Sequence, residues 1–331
     1  MNKKIYALII ITFSPLLYLQ ANEPIEKTEI VVQAVFGAGF FAQLNRVFSN
    51  MIYFYGKNIA RFTPDWSDEF FPYKDNPACN GWDLYFELLK TNNSTLEYKK
   101  AYSGPMDHII HDQTCLDRWV NYKNYLPYRK YMNKKLTEYI AIKPAIIQEI
   151  NQFYDQHMAS HFCIGVHVRF SAAHSQENPL GKAIDLYDYI TEAQNQLNEH
   201  KDENPIIFLC SESNYVITEF QKHFKASQSI CTNAFRVAYK EEPHLLFDQG
   251  DYYLANPEEF HKKKPGYLGG KTALMDCVLL SKCKIMIHSQ SNVCEWATFF
   301  NPHIESIFLP KGLLTKPCLY ENAPFHLVSK R

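Results

Sequence analysis

The stretch CIGVHVR at residues 163–169 decides the fold of this chain. The two-residue period of a strand places Gly165, His167 and Arg169 on one face and three aliphatic residues on the other. Polar groups at the carboxyl end of a parallel strand lie where doubly wound α/β folds bind ligands. A guanidinium there suits a phosphate, because its fork matches two oxygens at once. The alternatives are an edge strand with a solvated face and a structural ion pair.

Strand and helix patterns alternate on both sides of this stretch. The sequence predicts strands at 29–36, 58–62, 162–170, 205–210, 284–288 and 306–309, and helices at 40–55, 82–89, 144–157, 184–200, 215–224, 271–281 and 292–300. The region 63–140 otherwise reads as aromatic and rich in loops, and 237–268 as one long loop. Such alternation predicts an α/β, GT-B-like fold, in which two Rossmann-like domains with parallel sheets face a cleft.

Composition excludes several classes of protein. The chain has 331 residues and a net charge of −1, so it offers no global field for a nucleic-acid backbone. Hydrophobic residues make up 46% and aromatic residues 15%, which excludes a disordered chain. The nine cysteines are an odd number in a large chain and do not indicate a disulfide scaffold. One pair among Cys79, Cys115, Cys231 and Cys318 remains open.

The N-terminal segment has the pattern of a signal peptide. Lys3 and Lys4 precede an apolar run at 5–19, and Ala21 offers a small residue for cleavage. We therefore expect residues 1–21 to be a signal peptide, or an anchor if uncleaved, and the protein to be exported. A membrane contact is expected only in the uncleaved case. The remainder divides into an N-terminal domain at 28–155 and a C-terminal domain at 156–331.

A second candidate site follows the strand predicted at 284–288. The sequence KIMIHSQSNV at 284–293 runs from an apolar strand through a turn into a helix. The N-terminus of a helix offers unpaired N–H groups to an anion, and the hydroxyls of Ser289 and Ser291 could add donors. Ordinary N-capping by Ser291 or Asn292 is the alternative interpretation.

Asp276 is a carboxylate inside an apolar helix that follows Gly269 and Gly270. Lys271 and Thr272 suggest a P-loop, but Pro265 stands where its first glycine is required, which excludes one. Asp276 is then either on a solvated helix face or an acceptor for a donor edge such as that of guanine.

The sequence GAGFFA at 37–42 follows a strand and opens a helix, which is the dinucleotide fingerprint. An NAD-dependent oxidoreductase is therefore an alternative. The acidic residue expected at the end of the next strand is missing from the predicted strand, where Arg61, Phe62 and Thr63 stand.

The order of these segments resembles that of the GT-B fucosyltransferases, which include core α1,6-, nodulation, α1,2- and protein O-fucosyltransferases. GVHVR at 165–169 is similar to their first short motif, FLCSE at 208–212 to the second, and SQSNVCEWA at 289–297 to the third. The VCxxA part of the third motif resembles the core α1,6 branch. GAGFFAQLN at 37–45 is similar to the glycine-rich opening of the family's first domain.

The resemblance implies a role for each candidate residue. Arg169 would hold the β-phosphate of GDP-fucose, His167 and Asp276 would meet the guanine, and the hydroxyls of Ser289 and Ser291 would meet the phosphates. The motifs add four further substrate-binding candidates: Gly37, Gly39, Ser211 and Asn292.

The implied activity is inverting transfer of fucose from GDP-fucose to a hydroxyl of a glycan or glycoprotein, with no metal or other cofactor. Glu177 stands where the α1,6 branch carries its catalytic acidic residue, and His174 is a nearby substitute. The chain departs from the family at Phe170, where many members have a second arginine, and at 171–173, which lack the usual Asp or Lys. A transferase of another nucleotide sugar and an inactive sugar- or nucleotide-binding protein are therefore alternatives.

Overall fold

The first half of the chain is built on a three-stranded parallel sheet. A computed structural model describes residues 28–34, 39–54, 61–87, 99–102, 122–169, 184–234, 236, 258, 261, 264–289 and 291–309. Strands β1 (Thr28–Gln33), β2 (Arg61–Asp65) and β3 (Lys99–Tyr102) lie in the order β2-β1-β3. The helices of this half are α1 (Phe40–Phe54), the short α2 (Trp82–Tyr85), α3 (Tyr122–Tyr139) and α4 (Pro144–His157).

The second half holds a five-stranded parallel sheet. Its strands are β4 (Phe162–His167), β5 (Pro205–Cys210), β6 (Ser229–Ile230), β7 (Ile285–His288) and β8 (Glu305–Phe308), in the order β6-β5-β4-β7-β8. Its helices are α5 (Leu186–Glu199), α6 (Asn214–His223), α7 (Gly266–Ser281) and α8 (Asn292–Phe300). Strand β4 is therefore central, which excludes the edge-strand interpretation of the 163–169 stretch.

The two faces of β4 enter different cores, as the two-residue period predicts. Ile164, Val166 and Val168 pack with α5 and α6 in one buried cluster. On the other face, a Cβ on Gly165 would lie 2.8 Å from Cδ2 of Leu280 and 3.2 Å from Sγ of Cys283. Glycine at this position therefore lets α7 lie close against the sheet.

The second core continues into the first half of the chain, so the two sheets share it. Phe48 of α1 contacts Trp296 of α8, with ring centroids 5.2 Å apart. The buried carboxamide of Asn45 accepts a hydrogen bond from Nε1 of Trp296 and donates one to Oδ1 of Asn292 at 3.3 Å. On the same helix, the backbone oxygen of Phe299 accepts a hydrogen bond from Nδ2 of Asn133 at 2.7 Å.

A loop at 66–81 joins the first half to α7. The side chain of Lys74 is fully buried within this loop. Its ammonium donates hydrogen bonds to the backbone oxygens of Ser67, Pro77 and Cys79, at 2.6, 2.8 and 2.9 Å. The next residue, Asp75, accepts a hydrogen bond from the backbone N–H of Tyr267 at 3.1 Å, in the first turn of α7. Lys74 thus holds a loop that fixes the start of a helix in the other half.

The observed elements confirm the α/β fold of two parallel sheets, with local corrections. The second strand continues to Asp65 rather than ending at 62, and the predicted residues 58–60 lie outside the described part of the chain. The helix predicted at 82–89 ends at Tyr85, because Phe86 forms a bridge with Ile142. The prediction of loops through most of 63–140 is wrong at β3 and at α3. The short strand β6 was also not predicted.

The predicted start at residue 271 of the helix that carries Asp276 is also wrong. Helix α7 begins at Gly266, inside the loop predicted at 237–268, and it includes Gly269 and Gly270. A Cβ on Gly270 would collide with the side chain of Tyr85, so this glycine serves close helix packing rather than a turn.

All the described cysteines are free thiols, and five are buried: Cys163, Cys210, Cys277, Cys283 and Cys294. Cys79 and Cys231 are half-buried and unpaired, so neither takes part in the disulfide left open above. Cys115, Cys318 and the segment 1–21 lie outside the described residues. Within the described part of the chain, no helix is both long and apolar enough to cross a bilayer.

Replacing Lys74 with Met is expected to destabilise the protein by about 3 kcal/mol, because three partly buried hydrogen bonds from one buried ammonium are lost. Urea unfolding measures the change. The control is Lys143→Met, which removes a partly exposed ion pair between Lys143 and Glu87, 3.5 Å apart. This variant should lower the free energy of unfolding by less than about 1 kcal/mol. Equal stability of the two variants would contradict this role of Lys74.

Candidate functional site

The candidate site lies at the carboxyl edge of the second sheet, at the point where the order in which strands are added to the sheet reverses. From β4 the chain adds β5 and β6 on one side and then returns to add β7 and β8 on the other. The helices that follow pack on opposite faces, so the point between β4 and β7 is a topological switch point, where open α/β sheets bind ligands. Arg169 follows β4 and Ser289 follows β7, so the structure brings both to this point.

Arg169 is half-buried, and its charge acts on groups from both halves of the protein. In the first half it acts on the hydroxyl of Tyr73, which accepts a hydrogen bond from the backbone N–H of Phe40 at the start of α1. Burial raises the pKa of Tyr73 to about 12, although Phe40 and Arg169 oppose the shift. Tyr73 is therefore a neutral hydroxyl within the electrostatic reach of a guanidinium, a combination suited to an anionic ligand.

Gly39 lies at the same junction. A Cβ there would lie 3.8 Å from the hydroxyl of Tyr73, an ordinary contact. The structure thus brings one glycine of the predicted dinucleotide fingerprint to within reach of the Arg169 region.

The start of α8 supplies the second wall of the site. Ser291 caps the helix, and its Oγ accepts a hydrogen bond from the backbone N–H of Val293 at 3.2 Å. The capping interpretation is therefore correct for Ser291. Ser291 is also hydrogen-bonded to Cys294, whose pKa burial raises, while Ser289 is hydrogen-bonded to Tyr189 of α5. These contacts fix both hydroxyls at the end of β7.

Asp276 lies on the buried side of α7, which rules out the solvated helix face. It is 8% exposed, and its Oδ1 accepts a hydrogen bond from Oγ1 of Thr232 at 2.5 Å. Burial raises the pKa of Asp276 to about 6, and the hydrogen bond from Thr232 and the charge of Arg236 oppose this shift. The carboxyl group is thus ionised above pH 6 and able to accept hydrogen bonds from a ligand.

The remaining candidates have different surroundings. His167 is buried at the end of β4, between Cys210 of β5 and His288 of β7 in the sheet register. Ser211 is buried after β5, and its Oγ accepts a hydrogen bond from the backbone N–H of Ser213 at 3.2 Å. The carboxamide oxygen of Asn292 is bound to Asn45 in the contact between the halves.

Three candidates lie outside the described residues: Gly37, His174 and Glu177. Their roles stay predictions. Among the residues that the structure describes, no group of three or more His, Cys, Asp or Glu side chains has an arrangement that could hold a metal ion.

The second strand extends further along the chain than the sequence predicts, which bears on the dinucleotide fingerprint at 37–42. Because β2 extends to Asp65, an acidic residue does end the second strand. However, Oδ1 of Asp65 accepts hydrogen bonds from the N–H and the hydroxyl of Ser67, at 3.1 and 2.5 Å. At the start of α1, the N–H of Phe40 is bound to Tyr73. These contacts occupy groups that a dinucleotide would need.

Sequence reasoning missed Tyr73, Tyr189, Thr232 and Arg236. None belongs to a motif, and each reaches the site through tertiary packing.

Solved structures share this fold. NodZ α1,6-fucosyltransferase co-crystallised with GDP matches with a TM-score of 0.50 and 16% identity, over 82% of this chain and 92% of that one. Fucosyltransferase NodZ from Bradyrhizobium matches with a TM-score of 0.49 and 15% identity, over 82% and 92%. A mutant of Arabidopsis thaliana FUT1 in complex with GDP matches with a TM-score of 0.46 and 10% identity, over 86% and 70%. The first match confirms the fold expected from the three motifs.

The sequence comparisons add nothing to this. No protein-family model matches the chain, and no curated protein matches it. The likeness is one of fold.

Two buried groups at this edge should have opposite effects on stability in acid. The pKa of His288 is lowered to about 4, first by burial, so its stabilising contribution is complete above pH 6.5 and lost as the pH falls through 4. The raised pKa of Asp276 works the other way, since its contribution is complete below about pH 3.8 and lost as the pH rises through 6.

The variant Asp276→Asn should therefore lose stability relative to the wild type by about 2.4 kcal/mol between pH 7 and pH 4. Chemical unfolding at a series of pH values measures this difference. The matched variant His288→Gln should show the opposite trend, becoming more stable relative to the wild type in acid. Parallel pH profiles for all three proteins would contradict these assignments.

Proposed function

We propose that this chain is an inverting glycosyltransferase that moves fucose from GDP-fucose to a hydroxyl of a glycan or glycoprotein. The observation that carries the proposal is the position of Arg169 at the switch point, where its charge acts on the hydroxyl of Tyr73 and on Cys294 in the first turn of α8. A cation, a neutral hydroxyl and a capped helix start at one sheet edge suit a diphosphate. The motifs at 165–169 and 289–297 and the shared fold support the sugar donor as its source.

The donor would lie across the carboxyl ends of β4 and β7. Arg169 would bind the β-phosphate, with Ser289 and Ser291 on the phosphate oxygens. Asp276 and His167 would face the guanine, whose N–H groups need an acceptor. The ionised carboxylate of Asp276 is an acceptor of that kind.

The reaction would be a direct displacement at C1 of fucose by the acceptor hydroxyl. As the bond to GDP breaks, negative charge grows on the β-phosphate, and Arg169 would stabilise this charge. This is why the proposed reaction needs no divalent metal. A base near the acceptor would take the hydroxyl proton, and Glu177 and His174 are the candidates for it.

The two halves would then divide the work. The C-terminal half, at 156–331, would bind the donor, and the N-terminal half, at 28–155, would shape the acceptor site with its aromatic residues, because sugar rings pack on aromatic faces. Export through the segment 1–21 would place the enzyme in a secretory, periplasmic or extracellular compartment.

Replacing Arg169 with Ala should reduce transfer from GDP-fucose by about 100-fold or more, because a charge-stabilising donor is lost at the leaving group. Arg169→Lys should keep part of the activity, since it keeps the charge without the fork. Release of GDP in the presence of a glycan mixture measures both. The control is Lys222→Met, at an exposed residue of α6 away from the site. Full activity of the Ala variant would refute this mechanism.

Nucleotide preference is the more direct test. In a thermal-shift panel, GDP and GDP-fucose at 100 times their dissociation constants should each stabilise the protein by about 2.7 kcal/mol. UDP and NAD should have no effect at equal concentration. Stabilisation by GDP-mannose but not GDP-fucose would indicate another nucleotide sugar, and stabilisation by NAD would revive the oxidoreductase. Binding of GDP-fucose without any turnover, in water or with acceptors, would indicate an inactive binding protein.

A further inference from the structure

The segment that follows β6 contacts α7 at Asp276, through the side chain of Thr232. Arg236 holds this segment by donating to two of its carbonyls, that of Thr232 at 2.8 Å and that of Ala234 at 3.3 Å. The guanidinium of Arg236 thus links the backbone carbonyls of Thr232 and Ala234. The hydroxyl of Thr232 is thereby directed at Oδ1 of Asp276, 2.5 Å away.

The contact leaves the two carboxylate oxygens of Asp276 in different situations. Oδ1 is bound to Thr232, whereas Oδ2 accepts no hydrogen bond from any residue that the structure describes. Since the residue keeps 8% of its surface exposed, a ligand can approach it. A carboxylate held at one oxygen and open at the other has a fixed plane and a fixed free acceptor.

We propose that Thr232 and Arg236 are positioning residues for nucleobase recognition: Arg236 folds the segment, Thr232 holds one oxygen of Asp276, and the other oxygen receives the N–H edge of a guanine. The assignment of guanine rests on the proposed function. The arrangement of Thr232, Arg236 and Asp276 does not, because it stands on the contacts of the protein alone.

The hydrogen bond from Thr232 and the charge of Arg236 also favour the ionised form of the buried Asp276 carboxyl group. The groups acting on it are Arg236, which favours the charged form, and the thiols of Cys210, Cys231 and Cys277, which are neutral at physiological pH. The thiol of Cys210 also donates to the backbone oxygen of Asp276, at 3.9 Å. Thr232 and Arg236 are therefore the two groups opposing the cost of burial.

The test uses Thr232→Val, which keeps the shape of the side chain and removes the donor. GDP binding at pH 7 should weaken by about tenfold, the order expected when a carboxylate loses a hydrogen bond. Thr232→Ser should bind GDP like the wild type. The matched control is Thr272→Val. Thr272 lies on α7, the helix that carries Asp276, and its buried hydroxyl donates a hydrogen bond to the backbone oxygen of Leu268 at 2.8 Å.

A second measurement needs no ligand. The titration midpoint of Asp276 follows from the pH dependence of the unfolding free energy, each protein being compared with its own Asp276→Asn counterpart. In Thr232→Val this midpoint should rise by about one pH unit, and in Thr232→Ser and Thr272→Val it should stay unchanged. If Thr232→Val does not fold, Thr232→Ala replaces it, since it removes the same donor with a smaller side chain, and its midpoint should also rise.

The possible outcomes distinguish the positioning role of Thr232 from the assignment of guanine as the ligand. An unchanged midpoint and unchanged GDP affinity in Thr232→Val would overturn the positioning role. A raised midpoint in a protein whose wild type binds no GDP would overturn the guanine assignment and the proposed function, while supporting the hold of Thr232 on Asp276. A raised midpoint together with weaker GDP binding would support the full inference.

Discussion

The candidate site depends on the contact between α1 and α8, helices from different halves of the chain. Asn45 is completely buried there and binds both Trp296 and Asn292. A buried carboxamide is costly unless its groups are paired, so these two bonds permit one arrangement of the helices and penalise others. Because Phe40 begins α1 and Ser291 caps α8, this arrangement also sets where Tyr73, Arg169 and the α8 turn meet. The site is therefore a product of the shared core rather than of either sheet.

Local signals explain which elements could be predicted. Helix α4 begins with Pro144 in its first turn, and α8 follows the capping serine Ser291, so both have the predicted bounds. Strand β5 is an unbroken apolar run and also has the predicted bounds. Helix α3 was missed because it contains Pro127 and little regular apolar spacing. The early start of α7 was missed because its glycines are normally turn residues, and their packing against Tyr85 is a tertiary effect.

The same division applies to the site. The period of β4 and the turn after β7 indicated Arg169, Ser289 and Ser291 as candidates, because strand ends and helix starts are local features. That Asp276 is buried rather than solvated could not be read from its helix, whose residues are apolar on every side. Tyr73 and Thr232 come from segments with no regular pattern, and their approach to the site follows only from the loop held by Lys74 and the turn held by Arg236.

The half-buried thiols noted above are well placed for spectroscopy. Cys79 lies in the loop that carries Tyr73, and Cys231 is the neighbour of Thr232, so each half of the protein has an accessible thiol next to a residue of the site. The five buried thiols are shielded from alkylating reagents by the surrounding side chains. After replacement of Cys115 and Cys318, a donor–acceptor dye pair on Cys79 and Cys231 would report the separation of the two halves in single molecules. Motion between the halves could then be followed with and without added nucleotide, and no new cysteine would have to be introduced.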